Sequence, residues 1–279
     1  MRLVWQFLAV MAITVVCSVA TKAVDGHPWP TLALGLLTAV LTVLVYGWVV
    51  RRTEHRAVTE TAREGAVPAI LRGLVIGLVW FGAVIANIAF LGGYHVHGID
   101  SPSGAAGLFG FMAAAAVTEE VLYRGVLFRI VEERWGTWIA LALTGLLFGG
   151  VHLLNPNASA WGAVAIAVEA GGALAAAYAA TRNLWVPIGL HFGWNFAAAG
   201  IFGTEVSGND TPPGLLDATT SGSPLVTGGD FGPEGSVYAV VFGALVTIAF
   251  LWLARRRGTL VPLGGRRSGR LADVATLPR

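Results

Sequence analysis

The sequence predicts an all-α membrane protein, a bundle of about eight transmembrane helices. Hydrophobic residues make up 55% of the chain and charged residues only 12%, and the mean hydropathy is +0.69. Soluble domains carry about 25% charged residues, so this composition excludes an ordinary soluble domain. Apolar runs of roughly 20 residues, the length that crosses a bilayer, recur along the whole chain.

Three apolar runs lie in the first third of the chain, at 3–20, 31–50 and 69–91. The first run also resembles a signal peptide, because Ser18-Val19-Ala20 fits a cleavage site, but we expect it to remain as the first helix of a multipass protein. Gly73 and Gly77 in the third run form a small-xxx-small pattern, which predicts close approach of another helix.

Five further runs complete the predicted bundle, and they lie at 105–128, 138–152, 161–181, 184–202 and 236–254. The very short connection Arg182-Asn183 predicts that the sixth and seventh helices are antiparallel neighbours. We find no repeat and no second domain, so residues 1–254 are interpreted as one helical domain. The basic segment 255–279 is predicted to be a disordered cytoplasmic tail.

The distribution of basic residues predicts the topology. With both termini cytoplasmic, all but two of the 18 lysines and arginines lie on the cytoplasmic side, and the exceptions are Lys22 and Arg124. This arrangement satisfies the positive-inside rule. We therefore expect a multi-pass protein of the cell membrane, surrounded by lipid and without a nucleic-acid partner.

Charged residues inside an apolar run are the strongest functional signal in the chain. Glu119, Glu120 and Arg124 lie within the fourth predicted helix, where each charge costs on the order of 3 kcal/mol on insertion scales. Glu120 and Arg124 are four residues apart and share a helix face, which predicts an ion pair. Glu119 is rotated by about 100° and points toward another helix.

Two other predicted helices carry histidines at a helical repeat with a second polar or aromatic residue. Phe148 and His152 are four residues apart in the fifth helix, and His191 and Asn195 repeat that spacing in the seventh. An antiparallel hairpin of the fourth and fifth helices places Glu119 and His152 at similar depth. The sequence therefore predicts that one carboxylate, two imidazoles and a carboxamide converge.

This set of groups is suited to amide hydrolysis. A carboxylate bonded to a histidine can hold and deprotonate water, here Glu119 with His152, while His191 and Asn195 can donate to the oxyanion of a tetrahedral intermediate. One Glu and two His are also a catalytic zinc set, so the sequence leaves open whether the water is bound to a metal. A single cysteine, Cys17, excludes a disulfide framework and a multi-cysteine metal site.

These motifs resemble those of the CPBP family, which comprises type II CAAX prenyl endopeptidases and their bacterial relatives, the abortive-infection intramembrane proteases. The family pattern is E-E-x-x-x-R, F-x-x-x-H and H-x-x-x-N/D on three helices, and the likeness covers about residues 104–200. The resemblance implies an eight-helix endopeptidase of the glutamic type, formerly classed as a metalloprotease. By position, Glu119 and His152 would activate water, and His191 and Asn195 would form the oxyanion hole.

The resemblance leaves the substrate open. Eukaryotic relatives cleave prenylated CAAX proteins, whereas bacterial relatives are linked to bacteriocin maturation, immunity or unknown peptides. The Ala, Gly and Arg bias of this sequence indicates a bacterium with GC-rich DNA. A non-catalytic scaffold or immunity protein, or a small transporter, is the alternative function, and Glu169 in the sixth predicted helix has no assigned role.

Overall fold

The computed structural model describes residues 1–264 and is 75% helical. Its long helices are α1 (Arg2–Lys22), α2 (Pro28–Glu54), α3 (Ala66–Phe90), α4 (Pro102–Trp135), α5 (Thr137–Val151), α6 (Ala160–Thr181), α7 (Trp185–Asn195, continued by Phe196–Ile201) and α8 (Val237–Arg256). Each apolar run of the sequence corresponds to one of these helices. The predicted all-α membrane bundle is thereby confirmed.

Within residues 1–264, seven helices are long and apolar enough to cross a membrane. The remaining apolar run, at 184–202, forms α7, which has 11 α-helical and 6 π-helical residues. One-turn helices occur in the loops, at Thr59–Thr61, His152–Leu154, Pro224–Thr227, Gly229–Phe231 and Pro233–Gly235. The chain is a multi-pass membrane protein.

Glycines bring α3 and α7 into direct backbone contact, as the small-xxx-small pattern predicted. A Cβ atom built at Gly73 would lie 2.2 Å from the Val186 carbonyl oxygen, and one at Gly77 would lie 2.2 Å from that of Leu190. On the facing helix, a Cβ at Gly189 would lie 2.2 Å from the Ile70 oxygen. No other residue fits these positions without separating the two helices.

One end of the bundle is held by charged side chains. Arg129 on α4 donates to Glu54 Oε1 at 2.7 Å and to Gln6 Oε1 at 2.9 Å, which ties α1, α2 and α4 together. Arg56 and Glu60 pair nearby at 2.6 Å. These residues belong to the set that the charge distribution assigns to the cytoplasm, and that orientation remains a prediction.

The opposite end carries a two-stranded antiparallel sheet that the sequence reading did not anticipate. Strand β1 (Tyr94–Ile99) follows α3 and pairs with β2 (Leu216–Thr220) in the loop before α8. The two strands are more than 100 residues apart, so no local hairpin signal marked them. The Tyr94 hydroxyl donates to the Phe202 carbonyl at 2.7 Å and joins the sheet to the end of α7.

The structured part of the chain extends beyond the predicted boundary at residue 254. Val261 is 3% exposed, and its backbone N–H donates to the Thr137 hydroxyl at 2.8 Å. The part of the predicted tail around Val261 therefore packs against the start of α5. Residues 265–279 lie outside the described part of the chain.

Candidate active site

The acidic motif lies where α4 changes its helical geometry. Glu119 and Glu120 end the α-helical part, and the next eight residues, Val121–Phe128, form a π-helical stretch. Arg124 in this stretch donates to Glu120 Oε1 at 2.7 Å, and both side chains are buried, at 1% and 0% exposure. The predicted ion pair is present, in a wide turn of the kind that is frequent at functional sites.

Arg124 is also held by α5 and α6. A second π-helical stretch, Ala167–Gly172, interrupts α6, and the Arg124 Nη2 group donates to the Ala170 carbonyl at 3.0 Å and to the Gly171 carbonyl at 3.4 Å. The guanidinium carbon lies 4.7 Å from the centre of the Phe148 ring. One cation thus fixes three helices relative to one another.

Glu120 connects this cation to His191. The Glu120 Oε1 atom lies 2.9 Å from His191 Nδ1, and the histidine side chain is 6% exposed. An ionised carboxylate, as in the pair with Arg124, only accepts hydrogen bonds, so Nδ1 carries the proton. In the neutral imidazole, Nε2 then presents its lone pair to the site.

Glu119 is the partly open member of the cluster. Its Oε2 atom lies 3.9 Å from His191 Nε2, too far for a direct hydrogen bond, and its side chain is 35% exposed. The same Oε2 atom is buried and has no hydrogen-bond partner among residues 1–264. Glu119 and His191 Nε2 thus face each other across a gap that a small polar group can bridge.

Phe148 lies between the two histidines. Its ring centre is 4.9 Å from that of His152 and 6.0 Å from that of His191, and its carbonyl accepts from His152 Nδ1 at 2.6 Å. His152 therefore also carries its proton on Nδ1 and leaves Nε2 free. Within residues 1–264, no hydrogen bond or ion pair joins His152 to Glu119, whose nearest histidine partner is His191.

Asn195 is the last residue of the α-helical part of α7, one turn beyond His191. It is 8% exposed, and its side chain makes no hydrogen bond in the described part of the chain. Its amide is therefore available to a ligand. The helix continues as a third π-helical stretch, Phe196–Ile201.

The residues of the site do not form a metal-ligand set. Across residues 1–264, no group of three or more His, Cys, Asp and Glu side chains is arranged to hold a metal ion. Glu119 approaches one histidine, and the second is turned toward the Phe148 carbonyl. The geometry does not fit zinc held by one Glu and two His.

The sequence did not predict two sets of contacts in the site. The spacing of Glu120 and Arg124 gave their ion pair, but it gave no sign that Glu120 also binds His191. The carbonyl groups of Ala170 and Gly171 were not recognised as partners of Arg124. The only local signal was the Gly171-Gly172 pair inside an apolar helix, which weakens regular α-helical geometry.

Comparison with known protein families gives a match for the segment that contains the site. Residues 101–197 match the family model described as Rce1-like, type II CAAX prenyl endopeptidase Rce1-like. The chain is similar to this family over that segment. The match confirms the resemblance predicted from the three motifs, and it spans the helices that carry Glu119, His152, His191 and Asn195. No curated protein and no solved structure matches the chain.

The Rce1-like match supports protease activity of the CAAX type in general. A protease of this kind lies in a lipid bilayer and acts on a protein substrate.

Proposed function

We propose that this Rce1-like protein is an intramembrane endopeptidase of the glutamic type that hydrolyses a peptide bond of a membrane-associated or lipidated protein or peptide. One observation carries the proposal. Glu119 Oε2 and His191 Nε2 face each other at 3.9 Å, while the other nitrogen of His191 is fixed on the buried Glu120. A carboxylate that can accept a proton and an imidazole that can donate one are thus held close to each other.

Glu119 is the general base. Its carboxylate takes a proton from a water molecule, and the resulting hydroxide attacks the carbonyl carbon of the scissile amide. His152 is assigned to orient this water, because its Nε2 atom is an acceptor once Nδ1 is bonded to the Phe148 carbonyl. The structure shows no direct bond between Glu119 and His152, so in this proposal the water itself joins them.

His191 and Asn195 stabilise the oxyanion. The Asn195 amide donates one hydrogen bond, and His191 donates another when Nε2 also carries a proton. Because Nδ1 is bound to Glu120, that imidazolium is stabilised by a carboxylate at 2.9 Å. Glu119 then passes its proton to the nitrogen of the leaving amine as the C–N bond breaks, which balances the reaction.

Glu120 and Arg124 support the site without touching the substrate. Arg124 anchors Glu120 to the carbonyl groups of α6, and Glu120 sets the tautomer of His191. We further propose that the protein lies in the cell membrane with both termini in the cytoplasm, as the distribution of basic residues indicates.

The test is cleavage of a quenched peptide library that includes farnesylated CAAX peptides, by protein purified in detergent. We expect cleavage by the wild type, a loss of at least about 100-fold in Glu119→Gln, and no effect of a chelator. Asp230→Asn is the matched control, because it makes the same acid-to-amide change at an exposed position.

The outcomes separate the alternatives. Loss of cleavage with chelator would argue for a metal and against the glutamic mechanism. No cleavage by a folded wild type that melts at the same temperature as Glu119→Gln would favour a scaffold or immunity protein, or a small transporter. Cleavage by Glu119→Gln at the wild-type rate would remove Glu119 from the catalytic role.

A further inference from the structure

Glu234 is a buried acid outside the Rce1-like segment. It lies in the one-turn helix Pro233–Gly235 before α8 and is 1% exposed. The Trp194 indole N–H donates to its Oε1 atom at 2.6 Å. The hydroxyl group of Ser207 donates to its Oε2 atom at 2.8 Å, and the backbone N–H of Ser207 donates to the same atom. Three donors from two separate segments thus meet on one carboxylate.

Ser207 is held in an uncommon backbone conformation. Its φ angle is +54°, in the left-handed region that non-glycine residues seldom adopt. Such a conformation persists only where surrounding contacts enforce it. Besides its two bonds to Glu234, Ser207 accepts a hydrogen bond from Asn155 Nδ2 on its carbonyl oxygen at 2.6 Å. The residue therefore joins Glu234 to Asn155.

The two ends of this hydrogen-bond path lie beside the proposed catalytic groups. At one end, the Asn155 backbone N–H donates to the His152 carbonyl at 3.2 Å and closes the turn that carries His152. At the other end, Trp194 immediately precedes Asn195 on α7. The path thus spans the gap between the end of α5 and the wall of the site formed by α7.

We propose that Glu234 and Ser207 are positioning residues, which hold the His152 turn at a fixed distance from the helix that carries His191 and Asn195. The inference rests on the proposed function, since it assigns these groups a part in the same reaction. Neither residue touches the reacting atoms. Their effect passes through Asn155 on one side and Trp194 on the other.

The location of His152 explains why such a device is needed. His152 lies beyond the last α-helical residue of α5, in the three-residue 3₁₀ turn His152–Leu154. A 3₁₀ turn has poorer hydrogen-bond geometry than an α-helix, so contacts with the turn that follows add to the Phe148 carbonyl in fixing the position of His152. A displacement of about 1 Å in a catalytic group can reduce the rate about 100-fold.

The experiment combines Glu234→Gln, Asn155→Ala and the double variant, with Asp230→Asn as the matched control in the same loop. The side-chain amide of Glu234→Gln keeps only one oxygen, so it cannot accept from both Trp194 and Ser207 in the native geometry. For each single variant we expect kcat to fall by about 10- to 100-fold with KM changed less than about twofold. The double variant should be no slower than the slower single variant, because both break one path.

A second readout does not depend on cleavage. In protein labelled with ¹⁵N-histidine, the imidazole resonances of His152 should shift or broaden in Glu234→Gln and in Asn155→Ala, but not in Asp230→Asn. Assignment uses His152→Gln. This signal tests the positioning of His152 even if the wild type cleaves no peptide, an outcome that would defeat the proposed function alone.

Two results would overturn the inference. One is an unchanged His152 resonance together with an unchanged kcat in folded Glu234→Gln. The other is a loss of activity in each variant that merely follows its unfolded fraction in thermal denaturation, with the two single effects adding in the double variant. Either result would reduce Glu234 to a structural anchor of its loop.

Discussion

Glu120 and Glu169 are two completely buried glutamates on packed helices, and their surroundings differ sharply. Both are 0% exposed. Glu120 has Arg124 at 2.7 Å and His191 at 2.9 Å. Both carboxyl oxygens of Glu169 are buried and have no hydrogen-bond partner in the part of the chain that the structure describes. The Glu120 carboxylate is paired with a cation and bonded to a histidine, and that of Glu169 has neither partner within residues 1–264.

The contrast shows that burial of an acid within a membrane helix does not by itself identify its role. Glu169 lies in the π-helical stretch whose next two carbonyls hold Arg124, so its backbone belongs to the site although its side chain does not. Its side chain packs against α8, where a Cβ atom built at Gly243 would lie 2.5 Å from the Glu169 Cβ.

The largest expected effect comes from breaking the compensated pair. Arg124→Ala leaves Glu120 buried without its cation, which typically costs 3–5 kcal/mol, so we expect unfolding to become easier by about 3 kcal/mol or more. The measurement is denaturant-induced unfolding in micelles. Arg134→Ala, which changes an exposed arginine on the same helix, should alter stability by less than about 0.5 kcal/mol. A loss below about 1 kcal/mol for Arg124→Ala would contradict the comparison.

A smaller effect is expected for Glu60, a compensated acid outside the membrane-spanning helices. Burial alone would raise the pKa of Glu60, but hydrogen bonds from Arg56 and Tyr46 outweigh it and hold the pKa below the ordinary value of 4.5. This contribution to stability is therefore complete above about pH 4.5 and is lost as the pH falls through the lower folded-state pKa. Arg56 is 32% exposed, so solvent screening keeps the loss below that of Arg124→Ala.

The check is the melting temperature as a function of pH below 5, compared with Glu60→Gln. The difference between the two proteins should shrink as the pH falls. A constant difference over that range would show that the Glu60 charge makes no contribution.

The smallest effect is expected for Glu169→Gln. The substitution keeps the shape of the side chain and removes no ion pair, so stability should change by less than about 1 kcal/mol. The matched change Glu120→Gln weakens the hydrogen bonds with Arg124 and His191. It should lower the free energy of unfolding by about 1.5–3 kcal/mol. Equal losses in the two variants, measured side by side by unfolding in micelles, would erase the distinction between the two acids.

Most of the bundle was predictable because its signals are local. Each apolar run forms one helix. Gly73 and Gly77 form a close helix contact, because a residue without a Cβ atom lets the backbone of a neighbouring helix approach. The sheet was not predictable in this way. Strands β1 and β2 contain few residues, and their pairing depends on the arrangement of the helices that separate them.

For the site, spacing within a helix predicted one contact and left others undetermined. Glu120 and Arg124 pair because residues four apart share a face. The same rule gave no information on contacts between helices, such as the 3.9 Å approach of Glu119 to His191 or the bond of Glu120 to His191. The expected partnership of Glu119 and His152 stays a prediction, now through a shared water molecule.

The sequence by itself determined the membrane bundle, the three motifs and their order, because hydrophobic length and helical repeat are properties of contiguous residues. Only the tertiary structure decided which histidine faces which acid. That choice depends on the rotation of α4, α6 and α7 about their axes, and π-helical stretches at 121–128, 167–172 and 196–201 change that rotation locally. A π-helical turn is less stable than an α-helical one unless packing and buried hydrogen bonds compensate for it. In α6 the compensating group is Arg124, which binds the Ala170 carbonyl and comes from a distant part of the chain.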